Sequence, residues 1–187
     1  MINPIDLDLV FTSDPNQLLP SQQPLKDFHR LKDSQLWNND LRNWLEFIRS
    51  DKNLLCPDIV RNNSSFSMGL QLTDDLTISK INTIWRNKEE ATDVLSFAAL
   101  DNTLVLPANT CIELGDIIVS VPTATIQAMD NEHSLEKELR WLISHGLLHL
   151  LGWEHPTEKK LKEMLNCQEQ LLNITTEDQH QKDPIMI

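Results

Sequence analysis

Three histidines in one short segment, His145-Gly-Leu-Leu-His149-Leu-Leu-Gly-Trp-Glu-His155, are the residues of this chain best suited to chemistry. Helix positions four apart differ by about 40° around the axis, so the imidazoles of His145 and His149 project from one face on adjacent turns. That spacing chelates a transition metal without bending the helix. Gly152 permits a tight or left-handed reversal that a β-carbon opposes, and the reversal brings His155 back toward the same point. The pattern H-x3-H-x5-H supplies three imidazoles and leaves a position open for water, the composition of a catalytic zinc site rather than a closed structural one. Zinc is the expected ion, one per chain, although three imidazoles also accept nickel, copper or cobalt.

The surrounding residues support a metal. Trp141, Leu142, Ile143, Leu147, Leu148, Leu150 and Leu151 leave this segment apolar almost all round, which marks a helix lying in the core. Two imidazoles buried there cost free energy unless hydrogen-bonded or metal-bound. Metzincin proteases share the histidine spacing but carry a glutamate directly after the first histidine as general base. Here that position is Gly146, so peptide hydrolysis becomes the second choice. A mid-helix glycine costs about 1 kcal/mol relative to alanine, and a reason in packing or metal access is expected for it. The remaining histidines, His29, His133 and His180, lie in polar or terminal segments and receive no role.

Elements to position the site can be read on either side of it. Ser134 is the expected N-cap of a helix reaching Leu151, with Glu136 and Glu138 well placed in its first turns and Gly152 as its stop. Pro156 is expected to open a last helix, with Leu161, Met164, Leu165, Gln168, Leu171 and Leu172 along one stripe as far as Ile174. Alternation predicts strands at Ile5–Phe11, Phe66–Thr73, Asp93–Ala98 and Asp116–Val121. Helical spacing predicts Leu36–Ile48, Leu76–Trp85 (through Leu76, Ile81, Ile84 and Trp85) and a short helix after Pro122 to about Met129. Trp85 is expected in the core. Residues 12–25, with Pro15, Pro20, Pro24 and several glutamines, read as a linker, and 175–187 as a loose polar tail. Interleaved strands and helices predict an α+β fold: one domain over 1–174, a small mixed sheet packed with helices, and the metal site on the central buried helix and the turn after it.

Composition narrows the function. The 187 residues carry 28 acids against 16 bases, a net charge of −12, which argues against holding nucleic acid through a broad basic surface. No apolar run approaches the roughly 20 residues that span a bilayer, no secretion signal opens the chain, and Cys56, Cys111 and Cys167 lie too far apart in sequence for a C-x-x-C pair. Free thiols and a cytoplasmic location are expected.

The histidine segment HGLLHLLGWEH resembles the signature H-G-x-L-H-L-x-G-[YF]-D-H of the YbeY endoribonucleases, bacterial rRNA maturation factors. Three further blocks are similar in the same order: Leu72–Asp75 leading into Ile81-Asn82-x-x-Trp85-Arg86; Thr92-Asp93-Val94-Leu95-Ser96-Phe97; and Leu114-Gly115-Asp116-Ile117-Ile118-Val119-Ser120. The resemblance covers about residues 66–174. Two positions depart from it: Glu154 stands where the family has aspartate, and Trp153 where it has tyrosine or phenylalanine.

The resemblance implies a zinc-dependent, single-strand-specific endoribonuclease acting in 16S rRNA 3′-end maturation and ribosome quality control, with the ribosome or a ribosome-associated protein as partner and neither DNA nor membrane. A metallohydrolase with another substrate and a non-catalytic zinc-containing assembly factor are the alternatives. Phosphodiester cleavage calls for a cation against the charge that grows in the transition state. Residues 76–88 hold Lys80, Arg86 and Lys88 and no acid. Arg86, at the family's motif arginine, has the planar fork for a phosphate clamp, and Lys88 is a weaker phosphate contact. Asp93, Asp116 and Glu154 are candidates for orienting the histidines, and Glu154 also for general base.

Overall fold

The computed structural model describes residues 3–13, 28–100 and 110–177. Alternating burial along four strands builds one sheet: β1 (Asp6–Ser13), β2 (Ser65–Thr73), β3 (Val94–Ala98) and β4 (Ile112–Ser120), in the order β1-β2-β4-β3. β1 and β4 flank β2 in parallel, whereas β3 runs antiparallel to β4. The sheet is therefore mixed and the fold α+β, as expected. The helices among the described residues are α1 (Phe28–Leu31), α2 (Ser34–Ser50), α3 (Asp58–Arg61), α4 (Asp75–Arg86), α5 (Val121–Asp130), α6 (Leu135–Leu150) and α7 (Glu158–Glu177).

One face of the sheet carries the main core. Phe66, Met68, Leu70 and Leu72 of β2 join Leu114, Ile117 and Val119 of β4 beneath the apolar sides of α2, α6 and α7. Burying each such side chain stabilises the fold by roughly 1.5–3 kcal/mol. The two tryptophans of α2 are fully buried, yet each indole N–H finds an acceptor: Trp37 donates to the Leu31 carbonyl at 2.9 Å and Trp44 to the Leu171 carbonyl of α7 at 2.8 Å. α2 is further tied to α6 by Asp40, whose carboxylate receives Arg140 Nε at 2.7 Å. Burial pushes the Asp40 carboxyl above its usual range and the guanidinium pulls it partly back.

A bulge decides which way the β4 side chains point. Ser67 of β2 pairs with Glu113, but Gly69 pairs with Asp116, so β4 holds one extra residue in this interval. Gly115 has φ +118°, and a β-carbon there would stand 2.0 Å from the Phe97 carbonyl oxygen. Only glycine accommodates that kink. After it the alternation is reset: Leu114 and Ile117 both face the main core, and Asp116 faces the other side.

Among the described residues, α4 is the helix that packs on that other face. Ile78 packs with Leu95 and Ile118 in a small separate cluster, with Ile81 and Phe97 against it. The expected apolar stripe of α4 is corrected here. Leu76, Ile84 and Trp85 are exposed, Trp85 by 68%, and the buried positions are Ile78 and Asn82. Because α4 packs on β4 and α5 with no further layer above it among the described residues, a narrow stripe suffices.

Boundaries shift in physically readable ways. β4 begins four residues before the predicted Asp116 because the bulge hides its alternation. Thr12 and Ser13, assigned to the linker, pair with β2; residues 14–25 lie outside the described residues. Residues 175–177, assigned to the tail, continue the backbone of α7, and 178–187 lie outside. The last helix starts at Glu158 rather than Pro156. The two four-residue helices, too short for a periodic signal, were not anticipated. No helix among the described residues is long and apolar enough to cross a membrane.

Candidate metal centre

The helix that carries the histidines starts and stops as its sequence directs. Ser134 caps α6, its hydroxyl accepting from the Lys137 N–H at 3.2 Å. At the other end Gly152 takes φ +84°, and its N–H donates to the His149 carbonyl at 3.0 Å. The turn is pinned from outside by Trp153, whose indole N–H donates to the Leu55 carbonyl at 2.9 Å. This bond gives the departure at Trp153 a structural use, since a phenylalanine there has no donor.

With the turn fixed, the three imidazoles converge. One ring nitrogen from each of His145, His149 and His155 lies within 4.8 Å of the others, with ring centroids 4.7 to 5.5 Å apart. His145 and His149 are partly buried and His155 is exposed, so the cluster opens to solvent on one side. Nε2 of His145 and Nε2 of His149 stand 3.1 Å apart. Two nitrogens bound to one tetrahedral zinc at about 2.0–2.1 Å lie about 3.4 Å apart. The His145–His149 pair is therefore already spaced close to what such an ion needs.

The tautomer of His145 is set by a residue that the sequence placed on the helix stripe without a role. Gln168 of α7 is fully buried. Its amide nitrogen donates to the Trp141 carbonyl at 3.1 Å and reaches the Ser144 hydroxyl at 3.5 Å, which turns its oxygen toward His145 Nδ1 at 3.1 Å. That oxygen can only accept, so Nδ1 carries the proton and the Nε2 lone pair faces the cluster. The only signal in the sequence was a polar side chain on an otherwise apolar stripe. Burial pushes the His149 imidazole below its ordinary range, and His145 beside it adds to the shift. A neutral imidazole is the form that binds metal. Replacing Gln168 by leucine is expected to weaken metal affinity about 10–100-fold. Competition with a chromophoric chelator measures this, with circular dichroism to confirm the fold.

The remaining candidates divide. Glu154 Oε1 lies 3.9 Å from His149 Nδ1 with its side chain 77% exposed. That is close enough for an electrostatic contact and too long for a hydrogen bond. The two aspartates expected to orient histidines do not. Asp93 accepts from Val94 N–H and from Gln127 Nε2 at 3.0 Å, holding β3 to α5. Asp116 is turned to the opposite face of the sheet by the Gly115 bulge, against Gly69. Arg86 and Lys88 are exposed at and just beyond the end of α4, and the sheet separates them from α6. His133 is engaged with Glu138 at 2.5 Å, a structural pairing. Cys56, Cys111 and Cys167 are free, and burial raises the Cys167 thiol to about 11, an unreactive packing group.

Gly146 explains itself by packing. A β-carbon there would meet Ile117 Cγ2 at 2.9 Å and Cδ1 at 3.2 Å, so the helix approaches β4 as closely as it does because this position is bare. A glutamate at 146 would send its carboxylate into the sheet rather than over the metal cluster. Gly146→Glu is accordingly expected to lower stability by more than about 3 kcal/mol, as overpacking and burial of a charge combine. It should confer no casein hydrolysis. A denaturant melt and a protease assay check both parts.

The comparisons with known proteins agree with this geometry. Residues 28–176 match the family described as Endoribonuclease YbeY. The chain is 54% identical over 176 residues to an Endoribonuclease YbeY of Prochlorococcus marinus strain MIT 9313, covering 94% of each chain. It is 49% identical over 181 residues to the protein of the same name from strain MIT 9211, covering 94% of this chain and 90% of that one. Among solved structures, the solution structure of TM1509 from Thermotoga maritima is similar with a TM-score of 0.51 and 25% identity, over 83% of this chain and 95% of that one. With the family match spanning β2, β3, β4, α4 and the whole histidine segment, the chain belongs to the YbeY endoribonuclease family.

Proposed function

We propose that this chain is a zinc-dependent endoribonuclease that cleaves single-stranded rRNA and acts in maturation of the 16S rRNA 3′ end. The observation that carries this reading is the convergence of three imidazole nitrogens within 4.8 Å, open to solvent through His155, in a member of this family. When bound, a divalent ion at such a site polarises a phosphoryl oxygen and lowers the pKa of its water toward 7. The protein supplies the rest. Gln168 holds His145 in the ligating tautomer, the Gly152 turn delivers His155, and Trp153 anchors that turn to the Leu55 carbonyl. Glu154, beside Nδ1 of His149, orients that imidazole and is the candidate carboxylate to take a proton. Arg86 and Lys88 hold backbone phosphates of the RNA strand where it runs past α4.

The reading extends to where the protein works. An acidic surface repels RNA over most of its area, so delivery by the ribosome or a ribosome-bound protein, in the cytoplasm, supplies the encounter that charge does not. The substrate class is tested by offering purified full-length protein a single-stranded RNA, the same sequence as a duplex, and casein. Cleavage of the single strand alone is expected. Equal cleavage of the duplex contradicts strand selectivity, and casein turnover without RNA cleavage contradicts the assignment altogether.

A further inference from the structure

On the face of the sheet opposite α6, a groove of about 910 Å³ runs between α4, β3 and the exposed side of β2 and β4. Its rim is aromatic. Trp85, at the end of α4, and Phe97 of β3 stand with ring centroids 5.5 Å apart at 58°. Trp85 is 68% exposed, which is costly for the largest apolar side chain unless something covers it. The floor is mainly apolar, and within it Gln71 and Asp116 are polar groups on neighbouring strands. Gly69 makes room for Asp116, since a β-carbon at 69 would lie 2.1 Å from its Oδ1. Arg86 follows Trp85 directly, and Lys88 lies two residues further; both are exposed.

This combination fits one occupant. An exposed aromatic edge offers a stacking surface, a carboxylate and an amide on the floor offer partners for a base edge, and two cations beside the aromatic offer partners for phosphate. An apolar peptide would leave Asp116 and Gln71 facing nonpolar groups. A duplex keeps its bases stacked internally and has none to give. Resting on the endoribonuclease reading above, we infer that this groove is a nucleobase subsite: an unpaired base, carrying an exocyclic amino group, stacks on Trp85 with Phe97 at its edge and donates to Asp116. Its phosphate lies on Arg86. Trp85 and Gly146 flank the same stretch of β3 and β4 from opposite faces, through Phe97, which pairs with Asp116, and through Ile117. A strand held in the groove would therefore round the β3 side of the sheet, its last strand among the described residues, to reach the histidines. The subsite thereby selects single strands, and it is distinct from the metal centre.

The test uses full-length protein carrying His149→Ala, so that the probe is not cut, and a short oligocytidylate as that probe. Adding Trp85→Ala is expected to weaken binding about 10–100-fold, whereas Trp85→Phe retains most of it. Because Trp85 is exposed, the melting temperature should not change. In the protein with His149 intact, Trp85→Ala should raise KM for single-stranded RNA and leave kcat in place. Unchanged oligocytidylate affinity and unchanged KM overturn the subsite. So does a change in sedimentation of the Trp85→Ala protein with RNA affinity unaltered, which makes the groove a protein contact. Failure of the parent protein to cleave any RNA strikes the broader reading instead, so the two failures are distinguishable.

Discussion

Replacing His149 by alanine should abolish metal binding and RNA cleavage in one step while leaving the fold intact. His149 stands between its two partners in the chain, and its Nε2 is 3.1 Å from that of His145. Without it two imidazoles remain, one of them on the exposed turn, and two ligands do not retain a zinc ion against solvent. Cleavage should fall by at least about 10³-fold, roughly 4 kcal/mol of barrier. The fold should survive because His149 is only partly buried and packs at the open side of α6. Burial already disfavours its charged form, and its contact with the exposed Glu154 is long at 3.9 Å, so little stability is lost with it. Metal analysis, a cleavage assay and a melt on the same preparation check the three parts. Cleavage retained without metal would remove the ion from the mechanism.

Replacing Arg86 by alanine should have the complementary outcome: metal kept, cleavage impaired. Arg86 is exposed, and no hydrogen bond or ion pair ties it to the three histidines, from which the sheet separates it. In the proposed role its contact is with the RNA strand. A charge-assisted contact to phosphate is worth about 1.5–3 kcal/mol, so kcat/KM should fall about 10–100-fold, with most of the loss in KM. Stability should stay within about 0.5 kcal/mol, as for other exposed positions free of special contacts. Arg86→Lys should recover part of the activity, since an ammonium keeps the charge and loses the two-pronged geometry. Unchanged KM and kcat in Arg86→Ala would end the clamp role.

The sequence was most legible where local rules act alone. Ser134, Gly152 and the four-residue spacing of His145 and His149 each have one physical reading, and the structure places helix, turn and cluster accordingly. Strand positions came from alternation in β2, whose inner face is buried along its length. Legibility failed where a side chain's direction depends on a partner distant in sequence. The extra residue at Gly115 resets β4, and that is visible only against the register of β2. It sent Asp116 to the wrong side for a histidine partner. Gln168 reads as a polar interruption of a stripe until α7 is laid beside α6, 23 residues earlier in the chain. Trp85 reads as core on apolarity alone, yet among the described residues no layer lies above α4, and a tryptophan at its end faces a groove.

The net charge of −12 also takes on a definite meaning. It excluded a broad RNA-binding surface, and the structure leaves Arg86 and Lys88 exposed together beside an aromatic groove. On the proposed reading attraction to RNA is local, and binding to arbitrary RNA should be weak and salt-sensitive.

Metal dependence is the central claim, and one preparation tests it. Full-length protein is analysed for bound metal, assayed on single-stranded RNA, stripped with a chelator, assayed again, and reassayed after zinc is returned. The expected result is about one zinc per chain on the stoichiometry of a three-histidine site, loss of cleavage with the metal, and its return with zinc. The His149→Ala protein, carried through the same steps, should not recover. Full cleavage by the stripped protein, or equal cleavage by His149→Ala, would contradict the account.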